Sequence, residues 1–223
     1  MGKLVYEKLK QNLDTFVIRG LLRSEERKHR TGGGEDVFAS DITKAKTLSQ
    51  TFLGVDVLII LTSKSGRRIF FYNEGAYLEQ VDWIGQKNQI DATKIIGVRH
   101  IILVGSMGGR DPKHHLKPFA NGRILIWKRH SELYLVDSGI TYTLIKLGGL
   151  LDKEGGLREL LIANNDELLP TQMKTIPRAD VAQVSVQEIP HDEVKNKAYD
   201  LASKPEGEGS STLDFKSFFS QVF

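Results

Sequence analysis

Short runs of β-branched and aliphatic residues recur along this chain, and stretches of helical periodicity lie between them. Residues 15–23 (TFVIRGLLR), 36–40 (DVFAS), 55–61 (VDVLIIL), 101–105 (IILVG), 141–146 (TYTLIK) and 197–201 read as strands. Helices are predicted over 43–52, 81–96, 124–136, 178–187 and 215–222, with Asp41 or Thr43 near the first N-cap and Gly97 as a stop. Strands alternating with helices imply a parallel sheet covered on both faces, and nearly continuous apolar strands fit that burial. The expected fold class is α/β, a doubly wound parallel sheet forming one domain over residues 1–223, a length that suits one sizeable core.

Composition narrows the function. A formal net charge of +3, with its cations scattered among acids, argues against a nucleic-acid partner. With no cysteine there is no disulfide, thiol nucleophile or cysteine zinc site. The longest apolar run, 55–61, contains Asp56 and is far short of the ~20 residues a membrane-spanning helix needs. The start, MGKLVYEKLK, has no signal-peptide apolar region, and Tyr at position 6 argues against myristoylation of Gly2. A cytoplasmic protein with neither a nucleic-acid nor a membrane partner is the expectation.

In doubly wound folds ligands bind beyond the carboxyl ends of the strands. Arg23 ends the first visible strand, where a cation can meet a ribose 2′-phosphate, or can be a solvated surface arginine. Asp41 and Ile42 follow the second strand, where an Asp can meet an adenine edge, cap a helix, or do both. Leu61, Thr62 and Ser63 end the third, and small residues there let backbone approach a cofactor. Ser106 opens GSMGG after the fourth, as a hydrogen-bonding hydroxyl or a turn serine. Lys128 lies one turn into the next helix, as a ribose ligand or an ordinary surface lysine. TGGGED (31–36) leads into a strand, so no helix N-terminus meets a phosphate there, and it reads as a turn between two strands. Arg27–Arg30 (RKHR) reads as a solvated edge. Adjacent His114 and His115 point apart and make no metal site.

Three longer runs carry a family likeness. LEQVDWIGQKNQIDATKIIGVRHIILVGSMGG (78–109), LGGLLDKEGGLRELL (147–161) and DLASKPEG (200–207) resemble plant members of the atypical, NmrA-like short-chain dehydrogenase/reductases. The resemblance implies a Rossmann fold, NADP binding and an oxidoreductase role. Arg23 is the reason to expect NADP over NAD, and a quinone-like small molecule, which takes its proton from water, is an acceptor that a site without a proton-donating tyrosine could still reduce. It implies cofactor contacts from Gly2, Arg23, Asp41, Ile42, Leu61, Thr62 and Lys128, with Ser106 and Lys128 as the catalytic pair. The chain also departs from the pattern. The family's first strand and its GASGRTG-like loop would precede VYEKLK, and only Gly2 matches that loop. The segment between Thr62 and Tyr77 looks shortened. Ile124 stands where catalytic relatives carry a proton-donating tyrosine, four residues before the lysine, and Asp82 stands where they carry an asparagine. A non-catalytic redox-sensing or interaction protein, or an inactive truncated copy, is the competing expectation. The missing strand would lie between 15–23 and 55–61 and leave two edges unpaired, a cost that direct pairing of those two strands would lower.

Overall fold

A computed structural model describes residues 1–63, 78–110 and 123–222. The elements, in chain order, are α1 (Gly2–Lys10), β1 (Gly20–Leu22), α2 (Glu25–Arg30), β2 (Val37–Ala39), a 3-10 turn (Ala45–Thr47), α3 (Leu48–Phe52) and β3 (Val57–Ile60). A π-helical segment (Glu79–Gly85) then runs into α4 (Gln86–Ile96), followed by β4 (His100–Ser106), α5 (Arg123–Val136), β5 (Thr141–Leu147) and β6 (Gly149–Leu151). The chain continues with β7 (Leu160–Ala163), β8 (Thr175–Pro177), α6 (Arg178–Gln187), a 3-10 turn (Asp192–Val194), β9 (Lys197–Ser203) and α7 (Phe215–Phe219).

The α/β class holds. Five strands form the main sheet in the order β3-β4-β5-β9-β7. Every pairing in it is parallel, as expected, except that of β7 with β9, which is antiparallel and lies at one edge. Apolar side chains alternate between two cores, as period-two geometry requires. Ile102 and Val104 face Val181 and Val184 of α6 and Phe218 and Phe219 of α7. Ile101 and Leu103 face Ile90 of α4 and Leu135 of α5.

A separate two-stranded sheet is made by β1 and β2, in parallel. Among the described residues no ladder joins β1 to β3, so those two strands do not pair directly. Helices nevertheless bridge the two sheets on both faces. Leu21 of β1 and Leu58 of β3 pack on one cluster with Ile42, Leu48, Phe52 and Ala92. On the other face α1 packs Leu4 and Val5 near Ile59 and Leu61, while Tyr6 lies beside Gly20. Polar ties reinforce the bridge: Tyr6 donates to Asp36, Lys10 pairs with Asp36 at 3.0 Å, and Arg19 donates to the Leu53 carbonyl at 2.5 Å.

Several predicted elements shift. Of residues 15–23 only Gly20–Leu22 is strand, because only these meet β2. RKHR belongs to the exposed helix α2, whose N-cap Ser24 accepts from the Arg27 N–H. TGGGED is therefore a turn between a helix and a strand, with Gly32 at a φ of +67°. The helix expected over 43–52 is a 3-10 turn followed by α3. Gly97 stops α4 as expected: its φ is +75° and its N–H donates to the Thr93 carbonyl. His114 and His115, and most of the segment between Thr62 and Tyr77, lie outside the described residues.

Candidate functional site

Arg23, Asp41, Ile42, Leu61, Thr62 and Ser106 lie at or just after the ends of strands, and Gly2 and Lys128 lie on helices. Gly2 opens α1, whose N-cap has no side-chain partner, and nothing lies within 4 Å of where a Gly2 β-carbon would be. Backbone N–H groups at such a helix start suit an anion. Arg23 follows β1 and is exposed. Asp41 makes an Asx turn, its Oδ1 accepting from the Thr43 N–H at 3.0 Å and the Thr43 hydroxyl at 2.8 Å, so it organises a loop instead of capping a helix directly. Ile42 is buried, with its side chain against Gly85, where an added β-carbon would meet it at 2.7 Å. Leu61 packs among apolar neighbours, and Thr62 ends the described stretch after β3.

Three amides on α4 tie these strand ends together, and none stands out in the sequence. Gln86 donates to the Thr62 carbonyl at 2.8 Å, Gln89 to the Thr62 hydroxyl at 3.2 Å, and Asn88 to the Ile42 carbonyl at 2.9 Å. Gln86 and Gln89 are each 2% exposed, so their bonds must be made inside the protein. Their apolar spacing marks α4 as a helix but gives no hint of which loops the amides reach.

On the other side of the site, Lys128 of α5 pairs with Asp82 at 3.1 Å. Asp82 is fully buried in the π-helical segment, and Ser131 Oγ donates to its carbonyl at 2.5 Å. The lysine side chain is only 13% exposed, unlike an ordinary surface lysine. Wide π turns often occur at functional sites. Ser106 ends β4, with its hydroxyl resting on the Met107 carbonyl at 3.1 Å and its N–H donating to Glu132 at 3.3 Å. Glu132 lies four residues after Lys128, on the same face of α5, so Ser106 and Lys128 are brought to the same side of that helix.

Around Glu132 lies a buried polar cluster. Burial pushes its carboxyl upward in pKa, opposed by Arg129, Lys146 and the Ser106 N–H. Lys146 stands in register between Gly105 and Asp200. Burial also raises Asp200, to about 6, while Lys146 opposes the rise. Neither of two surface grooves, about 510 and 370 Å³, contains any residue predicted for the site. The larger runs along α6 past Lys8, Arg158 and His191, and the smaller lies beside Asp56 and His100. Among the described residues no cluster of His, Asp and Glu could hold a metal, and no helix is long and apolar enough to cross a membrane.

The start of α1 offers open backbone N–H groups, Arg23 is an exposed cation and Lys128 a largely buried one. A family model described as NAD(P)H-binding matches residues 1–192. Sanguinarine reductase of Eschscholzia californica is 52% identical, the alignment covering 99% of this chain and 92% of that protein. The alignment spans 250 positions against 223 residues here, so at least 27 of them (250 − 223) have no counterpart in this chain. An uncharacterized chloroplastic protein of Arabidopsis thaliana is 53% identical over 99% of this chain and 72% of its own length. Among solved structures, an oxidoreductase of Lactococcus lactis superposes with a TM-score of 0.69 at 20% identity, covering 100% of this chain and 96% of that one.

Proposed function

Because the chain belongs to the NAD(P)H-binding family, we propose that it is an NADP(H)-dependent oxidoreductase whose acceptor takes up a hydride without needing a proton from the protein. The observation that carries this reading is the Lys128–Asp82 pair, on the same side of α5 as the Glu132 that holds the Ser106 N–H, with Ile124 one turn before Lys128. Isoleucine has no proton to give. Lys128 holds a ribose hydroxyl on the nicotinamide side, and buried Asp82 fixes its direction. Ser106 orients the acceptor. Arg23 holds the 2′-phosphate, Asp41 and Ile42 border adenine, Leu61 and Thr62 line the ribose and pyrophosphate, and the α1 start at Gly2 meets the pyrophosphate. The bound cofactor supplies the hydride.

Acceptor class follows from the missing donor. An aromatic iminium ion becomes a neutral amine on gaining hydride alone, so a site without a proton donor suffices. Sanguinarine, named in a relative 52% identical to this chain, is such a cation. A quinone takes its proton from water and is the second choice. A simple ketone needs the general acid, which typically contributes 10²–10⁴-fold.

The test is NADPH oxidation with sanguinarine, a quinone and a simple ketone in parallel. Turnover should fall in that order. Ketone reduction as fast as iminium reduction would overturn the reading. Tight NADPH binding with no acceptor reduced would favour a redox-sensing or interaction role, which Ile124 also permits. NADP should bind better than NAD, and Arg23→Ala should reduce that preference roughly 10-fold, the scale of one charge-assisted hydrogen bond. Equal binding of both cofactors by the unmodified chain would remove Arg23 from the site.

A further inference from the structure

Glu132 is expensive to bury. It is 2% exposed, and a carboxylate taken from water costs stability unless its oxygens are well satisfied. Its Oε2 pairs with Arg129 at 3.2 Å, and Lys146, itself 3% exposed, faces it from β5. Its Oε1 has a different partner, the backbone N–H of Ser106 at 3.3 Å. The same oxygen lies so close to Gly105 that a β-carbon there would approach it to 2.5 Å.

The strand pattern explains the fit. Ile101 and Leu103 point toward α5, so position 105 points the same way. Any side chain at 105 would occupy the place of the carboxylate. Glycine leaves room for it to press on the Gly105–Ser106 peptide, where β4 gives way to the loop that carries the Ser106 hydroxyl.

We propose that Glu132 is a positioning residue: its carboxylate, seated in the space left by Gly105, clamps the Gly105–Ser106 peptide and so sets where the Ser106 hydroxyl stands relative to Lys128. This rests on the reading that Ser106 and Lys128 work in the reductase site. Glu132 itself touches neither cofactor nor acceptor.

The arrangement is reciprocal, which makes it testable from both sides. Gly105→Ala pushes the carboxylate away, and Glu132→Ala removes it. In the double variant the new methyl enters space already vacated. The full chain and the variants Gly105→Ala, Glu132→Ala, Glu132→Gln and the alanine double are compared for sanguinarine reduction, NADPH dissociation constant and melting temperature. Each single alanine variant should lower kcat about 10–100-fold, the scale expected when a reacting group is misplaced by about an ångström. NADPH affinity should stay within about 3-fold, since the clamp acts on Ser106 and not on the cofactor contacts. The double variant should be no worse than the poorer single. Glu132→Gln, which keeps an oxygen for the Ser106 N–H, should recover most of the rate. Multiplying losses in the double variant, or loss of NADPH affinity in step with kcat, would overturn the proposal.

Exchange of the Ser106 amide proton, followed by NMR, gives a readout independent of turnover. Glu132→Ala should speed it about 10-fold, the worth of one buried hydrogen bond, and Glu132→Gln much less. Unchanged exchange in Glu132→Ala refutes the clamp even if activity falls. If the unmodified chain reduces no acceptor while the exchange responds, the clamp stands and the reductase reading fails.

Discussion

Strands β3 and β4 run side by side with nearly the same composition, yet their surroundings differ. Ile101, Ile102 and Leu103 of β4 are at most 1% exposed. Val57, Leu58 and Ile59 of β3 are only partly buried, although each pairs in register with β4. The reason is neighbours. β4 has a strand on each side, whereas β3 has β4 on one side and no ladder to β1 on the other. Apolar composition says that a strand should be buried, and the adjoining elements decide whether it is. The region of β1 and β2 is held to the rest by bridging helices and polar ties, and the region around β4 by two continuous cores.

The sharpest way to break this comparison is to supply a strand between the two sheets. A chain extended at its N-terminus by an apolar strand and a GASGRTG-type loop should melt higher by about 10 °C or more. Several newly buried apolar side chains contribute about 1.5–3 kcal/mol each, and each kcal/mol shifts melting by about 2–4 °C in a domain of this size. NADP should also stabilise it more. Similar melting temperatures for the two chains, with equal NADP effects, would mean that the edge of β3 costs nothing.

Truncation within the strands comes next. Ile102→Ala should cost about 2–5 kcal/mol in denaturant unfolding, because it leaves a cavity between two packed layers. Ile59→Ala should cost less than half as much, having less burial to lose. Equal losses would show that β3 is as enclosed as β4.

A pH response should sharpen the contrast further, because the five-stranded side holds a carboxyl deep in its core. Glu188, at the end of α6, is completely buried and receives a hydrogen bond from Tyr199 of β9, and burial raises its pKa to about 8. Unfolded, it titrates near 4.5. Between those values the folded state keeps a proton that the unfolded state releases, so stability falls as pH rises through this window. Glu188→Gln cannot titrate. The stability gap between it and the unmodified chain should widen from pH 5 to pH 8, by on the order of a few kcal/mol. A gap independent of pH would show that Glu188 ionises normally in the folded chain.

The smallest effect belongs to the polar ties. Tyr6→Phe removes the bond from α1 to Asp36 and should cost about 0.5–1.5 kcal/mol or less, since the pair is partly solvated. Amide exchange should quicken in β1 and β2 and stay unchanged in β4. Equal acceleration in both sheets would mean that they open as one unit.

Some of this architecture was legible residue by residue. The β-branched runs at β4 and β5, the α4 stop at Gly97, and the start of α6 after Pro177 follow from local rules, because periodicity and backbone preference act over a few residues. Ser106 was legible as a candidate from its place at a strand end, and Lys128 only through the family likeness. Other features were not. The short strands β6, β7 and β8 carry too few residues to show a period, and the antiparallel direction of β7 is a matter of topology.

By itself, then, the sequence determined an α/β alternation and, through its family likeness, a dinucleotide ligand, and it raised the expectation of a site at the strand ends. Tertiary structure alone decided which side chains meet there. Lys128 finds Asp82 forty-six positions away, Gln86 finds Thr62 across twenty-four, and Glu132 finds Ser106 across twenty-six. Each of these is a buried polar group that must find its partner inside the fold. The partner is whichever group packing brings within hydrogen-bond reach, and no local pattern encodes that distance.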